Sequence, residues 1–167
     1  MELNGLLEYA HGMVIRSSSG LVENGRTEEL ACGIWTVRDV IGHLTTFKHL
    51  TENVISTFIG NTNTPYLDLM LKLGPDKFGE AQVATRRGFT YEVNLEEYEA
   101  SHRRIIALLS QIPETEIRRP GTLPWYGNQY GLDDFILYTD FGHQIEHASQ
   151  LALLRDQPVA DFVNSKS

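Results

Sequence analysis

Apolar side chains recur at helical spacing in four long segments of the chain, and nowhere do they alternate for long enough to mark an extended sheet. Leu3, Leu7, Ala10, Val14 and Leu21 form one stripe, which predicts a first helix over Leu3–Glu23 that tolerates the small polar run "SSSG" near its end. Trp35 and Thr36 open a second helix, with Thr36 as its N-cap and Asp39, three residues on, completing an imperfect capping box. Val40, Phe47, Leu50, Val54 and Phe58 share one face of that helix, which stops at "GNTNTP". A third helix is expected from Leu95 to Gln111, striped by Leu95, Tyr98, Ile105 and Leu109, with Pro113 just beyond its end. After the turn-rich stretch "RRPGTLPWYGNQYG", a fourth helix runs from Leu132 to Arg155. Four helices of this length predict an all-α fold, a four-helix bundle.

Residues 60–91 are too many for a simple reversal between the second and third helices, so a long crossover connection is expected there. A short helix is predicted at "PYLDLMLKLG", and the irregular stretch "EAQVATRRGFTYEVN" can pair as a brief hairpin. The tail "QPVADFVNSKS" is expected to be partly disordered. No internal repeat or low-complexity segment interrupts this plan.

Composition narrows the class of protein. At 167 residues, 41% hydrophobic and 22% charged, the chain 1–167 reads as one globular domain with a real core. Its start, "MELNGLLEYAHGMVIR", lacks the basic segment and apolar run of a secretory signal, and no window approaches a membrane span, so a cytoplasmic protein is expected. The net charge of −8 argues against a nucleic-acid partner. The pairs Arg86/Arg87, Arg103/Arg104 and Arg118/Arg119 are scattered among acids and read as solvated surface, with Arg86 or Arg87 the less favoured anchor for a substrate anion. Cys32, the single cysteine, excludes an intrachain disulfide and a cysteine metal cluster, and reads as a small buried hydrophobe.

The histidines change the picture. The apolar series Leu132, Ile136, Thr139 of the fourth helix continues through His143, His147, Gln150 and Leu154, so both histidines fall on the stripe that faces the core. His43 lies on the inner stripe of the second helix with Val40 and Phe47, while His49 lies about 120° around that helix and points outward. His102 sits inward between Tyr98 and Ile105, and His11 at the edge of the first stripe. A lone inward histidine is ordinarily a core residue satisfied by a carbonyl or carboxylate. Several imidazoles buried without partners would cost a few kcal/mol each, whereas one shared cation gives every lone pair a partner. Histidines at i and i+4 can reach one metal, with a third nitrogen from a neighbouring helix. His43, His143 and His147 make the simplest triad, and three ligands leave a coordination position open for chemistry. His102 is the best candidate for a fourth ligand. Asp140 is the better candidate to orient His143 through its other nitrogen, with a plain exposed carboxylate as the equal alternative, and Glu146 is expected at the surface or behind the ligands.

The pattern His143-x-x-Glu146-His147 also occurs in a class of zinc peptidases. Those enzymes draw a further Glu from far downstream, and after Glu146 this chain has 21 residues and no Glu. That reading is set aside.

The segments "WTVRDVIGHL" (35–44) and "FGHQIEHASQL" (141–151), with their order and spacing, resemble the DinB/YfiT-like superfamily of metal-binding four-helix bundles. The resemblance spans essentially the whole chain and carries that family's metal triad onto His43, His143 and His147. It implies a divalent metal, zinc as first choice with nickel, manganese or iron open, and an association into homodimers. Characterised relatives include transferases and isomerases that use a low-molecular-weight thiol, and a small-thiol S-transferase is the leading expectation. A metal-dependent hydrolase on the same site and a non-catalytic, stress-linked binding protein are the alternatives. Trp125, Tyr126 and Tyr130 are expected either at a pocket mouth or, slightly favoured, at a dimer contact.

Overall fold

The computed structural model describes residues 2–158, and most of the expected tail lies outside them. The first stripe becomes α1 (Leu3–Glu23), with Leu7, Ala10, Val14 and Leu21 all buried. A small antiparallel hairpin follows, β1 (Leu30–Cys32) against β2 (Trp35–Thr36), turning through Gly33 at φ +56°. Strands of three and two residues carry no readable alternation, so the sequence did not reveal them. The hairpin holds Trp35 directly before α2 (Val37–Thr57). At that entry Thr36 Oγ1 accepts from Asp39 N–H and the Asp39 carboxylate accepts from Thr36 N–H, both at 3.1 Å. Aspartate is therefore long enough to complete the capping box.

The connection that follows α2 is more helical than expected. α3 (Pro65–Leu73) matches the predicted short helix, and α4 (Pro75–Thr85) follows it after Gly74, whose φ of +81° makes the break. The stretch 80–94 does not form a hairpin; it supplies the end of α4, a short link and the start of α5 (Tyr91–Leu109). Its Thr, Val, Phe and Tyr residues favour strand locally. Burial of Phe78, Gly79 and Val83 on one face of α4 overrides that preference. Thr90 caps α5 by accepting from Val93 N–H at 3.2 Å, so this helix starts four residues before Leu95. A single turn, α6 (Glu114–Ile117), precedes the final helix.

That final helix is continuous but not uniform. It comprises α7 (Leu132–Ile136), a π turn (Leu137–Gly142) and α8 (His143–Asp156), with helical dihedrals at both junctions. A π turn absorbs one residue more than an α turn. The buried row consequently shifts by one residue: Asp140, Gln144 and Leu151 are buried in place of the expected Thr139, His143 and Gln150, while His147 stays buried with Ala148 beside it.

α2 packs against α5, α1 against α8, and α3 and α4 lie on α2, which is buried on most of its circumference. The apolar core forms two clusters, one around Leu7, Leu50, Val54, Phe78, Ile105 and Phe135, the other around Val14, Val40, Leu44, Tyr98 and Leu151. Between them lies a polar layer to which each long helix contributes one ionisable side chain: His11, Lys48, His102 and Asp140. Arg26 ties the hairpin side to the end of α8, donating to the Leu154 carbonyl at 3.1 Å and so satisfying a helix-terminal acceptor. No helix among the described residues is long and apolar enough to cross a membrane.

Candidate metal centre

His43 projects from α2, and His143 and His147 from the first turns of α8. Their Nε2 atoms converge, His43 to His143 at 2.8 Å and His147 to His143 at 3.1 Å. Among the described residues these three form the one cluster of His, Cys, Asp and Glu side chains close enough to hold a metal ion. Nitrogens at ~2.05 Å from a tetrahedral ion stand about 3.3 Å apart, so the two contacts to His143 need open by only a few tenths of an ångström to match that spacing.

The surroundings prepare the rings for this. His147 Nδ1 meets Gln150 Oε1 at 2.8 Å, one helical turn on, and donates its proton there. The Thr139 carbonyl accepts from the His143 ring. With these protons engaged, the Nε2 lone pairs of His143 and His147 face each other, an arrangement that a single N–H from His43 can only half satisfy. A cation satisfies all three. His43 Nδ1 is buried without a protein partner, and the ring is confined by Trp35 (centroids 4.5 Å apart) and Phe47 (4.9 Å). Gly79 of α4 closes the remaining side: a Cβ there would lie 3.0 Å from His43 Cε1. Burial, reinforced by the neighbouring imidazoles, pushes His43 down to about 2 and His143 to about 3, and burial also lowers His147. The rings are neutral at physiological pH, as metal ligands must be.

Other expectations are corrected. His102 is not a fourth ligand: it stacks on His11 with centroids 4.0 Å apart, and its Nδ1 lies 3.4 Å from Lys48 Nζ. Asp140 does not orient His143, because the π turn swings it into the core, where it binds Lys48 Nζ at 2.8 Å with both side chains 1% exposed. Gln144 donates to the same carboxylate and accepts from the Tyr98 hydroxyl. Arg86 is no surface cation or free anion anchor; it is buried, donating to Asn94 at 3.1 Å and Glu97 at 2.7 Å. Cys32 is only partly buried. His49 is half-buried between Glu52 and Glu97, each at 3.3 Å, rather than outward.

Of the triad, His143 lines a cavity of about 760 Å³, whose wall also includes Phe47, Trp125, Tyr126 and, as its carboxylate, Glu146. Trp125 and Tyr126 thus belong to a pocket, while exposed Tyr130 packs beside Tyr126. Sequence reasoning missed Lys48, Gly79 and the role of Gln150. Lys48 left a signal, a cation in the row Ile41, Leu44, Thr51, Ile55; Gly79 left none.

No known protein family matches the chain, and no significant match to it occurs among curated proteins or solved structures.

Proposed function

We propose that this protein is a metal-dependent enzyme of the DinB-like, small-thiol S-transferase type, built as a four-helix bundle with a crossover through α3 and α4. His43, His143 and His147 hold one divalent cation, zinc first among the candidates. The observation that carries this reading is the convergence of three neutral Nε2 atoms, two of them with the opposite ring nitrogen already engaged and one of them on a ring, His143, that lines a cavity. A bound cation supplies Lewis acidity, lowering the pKa of a thiol or water in its open position to give a nucleophile at neutral pH.

The chain's own residues do the rest by positioning. Gln150 and the Thr139 carbonyl set the tautomers of His147 and His143. Trp35 and Phe47 shield His43 from solvent. In this reading the protein works in the cytoplasm as a homodimer, and its partners are a low-molecular-weight thiol and a small-molecule acceptor.

Elemental analysis of protein purified without chelator or nickel resin is the first test, with about one divalent ion per chain expected and most of it lost in His143→Ala. Metal retained undiminished by the single alanine variants of all three histidines ends the proposal. Cobalt-substituted protein then separates the roles of the metal. Added 2-mercaptoethanol should introduce sulfur-to-cobalt absorption, and His102→Ala should leave that response intact. A spectrum indifferent to saturating thiol would argue for a structural or purely ligand-holding site.

A further inference from the structure

We propose that the cavity beside His143 receives an uncharged, apolar small molecule carrying an aromatic ring, and that the side chains of its wall discriminate against anions. The inference rests on the metal-centre reading for its catalytic meaning, and on the cavity alone for its selectivity. About 760 Å³ falls within the range of small-molecule sites, ~300–1,000 Å³.

Three features of the chain build the space. The Gly74–Pro75 break between α3 and α4 bends the crossover around it. The loop before α7 places Trp125 and Tyr126 across it. The π turn moves Asp140 into the core and leaves Thr139, Gly142 and His143 on the wall.

The wall is aromatic and fixed. Phe135 stands edge-to-face with Trp125 (centroids 5.6 Å, 81°) and with Tyr126 (5.4 Å, 87°), and Phe47 meets His143 at 4.5 Å and 74°. Such rings offer both faces and edges to another ring without first paying an ordering entropy. Met70 adds an adaptable surface.

The charge balance is equally one-sided. No Lys or Arg lines the cavity, and its one carboxylate is Glu146. Arg86, the cation that sequence reasoning offered for an anion, is committed to Asn94 and Glu97. Within a chain of net charge −8, an anion entering this space would lose hydration without gaining a counter-charge from any side chain that lines it.

The test uses two dyes on the same framework, neutral N-phenyl-1-naphthylamine and its sulfonated relative 8-anilinonaphthalene-1-sulfonate, titrated into the full chain both metal-loaded and chelator-treated. The neutral dye should bind saturably to both, and to the chelator-treated chain about tenfold tighter than the sulfonate. It should also quench Trp125, a response lost in Trp125→Phe. Leu71 lies on the wall and is 48% exposed, so Leu71→Arg adds a cation at the mouth without disturbing the core. That variant should weaken the neutral dye and tighten the sulfonate by roughly threefold. Chelator-treated protein should lose metal yet keep the neutral dye, so failure of the metal centre and failure of the cavity assignment give different results. Protein that binds no neutral dye, binds the sulfonate as tightly after chelation, or ignores Leu71→Arg would overturn the proposal.

Discussion

Gly79 shows how a single residue can govern the candidate centre without contributing a ligand. A Cβ at this position would stand 3.0 Å from His43 Cε1 and 3.4 Å from Nδ1, and the ring is already bounded by Trp35 and Phe47. Alanine in a helix interior is worth ~0.5–1 kcal/mol over glycine, so Gly79→Ala should leave the melting temperature close to that of the parent. It must nevertheless displace the imidazole by a few tenths of an ångström. Competition with a chromophoric chelator should then report metal affinity lowered about tenfold, the scale of loss seen when ligand orientation is disturbed. Unchanged affinity would mean that His43 has room to yield. The contrast in legibility is physical: His43 declared itself as a polar residue on an apolar stripe, whereas the role of Gly79 depends wholly on what stands opposite it.

At the scale of elements, the π turn sets the composition of the core. By shifting the buried row one residue, it exchanges Thr139 for Asp140 and His143 for Gln144. It thereby places a carboxylate 2.8 Å from Lys48 of α2. This pair sits at the join between the two apolar clusters and links α2 to the final helix. Removing one member of a buried pair leaves an uncompensated charge and typically costs ~3–5 kcal/mol. Lys48→Met should show a loss of that order in urea denaturation, and the double variant Lys48→Met with Asp140→Leu should recover most of it. If the double variant is as unstable as the single one, the polar layer acts through its wider hydrogen bonds to Gln144 and Tyr98. Straight α-helical periodicity could not have revealed this, because the extra residue in the turn rotates everything after it by about 100°.

At the scale of the molecule, the buried histidines make folding sensitive to acid. Burial first, then the charges of Lys48 and, for His11, its neighbour His102, push His11 to about 3 and His102 to about 4. Glu8 on α1 raises His11, Asp140 on the π turn raises His102, and Arg103 on α5 lowers both, without reversing either shift. Both folded-state values lie below the ordinary 6.5, so between them and 6.5 the unfolded chain binds more protons than the folded one. Stability from these groups is therefore complete above pH 6.5 and is lost as pH falls toward 4 and then 3. Urea midpoints of metal-free protein should decline across that window, with a shallower decline in the double variant His11→Gln, His102→Gln. An equal slope in that variant would place the acid sensitivity elsewhere. The proposed homodimer is checked at this scale too, since sedimentation at micromolar concentration should give twice the 18.9 kDa chain mass and a lone 18.9 kDa species would contradict it.

Helical periodicity alone located α1 to the residue and found α2, α3, the body of α5 and the span of the last helix, because an amphipathic stripe is a local property of the chain. It also placed His43, His143 and His147 on inward stripes, together with His102, since imidazoles on apolar stripes stand out whatever the packing. Tertiary structure decided the remainder. The residues after Gly74 became α4 rather than a hairpin because a buried face on α2 outweighed strand propensity. The π turn chose Asp140 for the core and left His143 at a cavity wall. His102 joined Lys48 and His11 instead of the triad because helix phase specifies which way a side chain faces but not the height at which it meets its neighbours. That height is set by how the helices pack, which no single stretch of sequence contains.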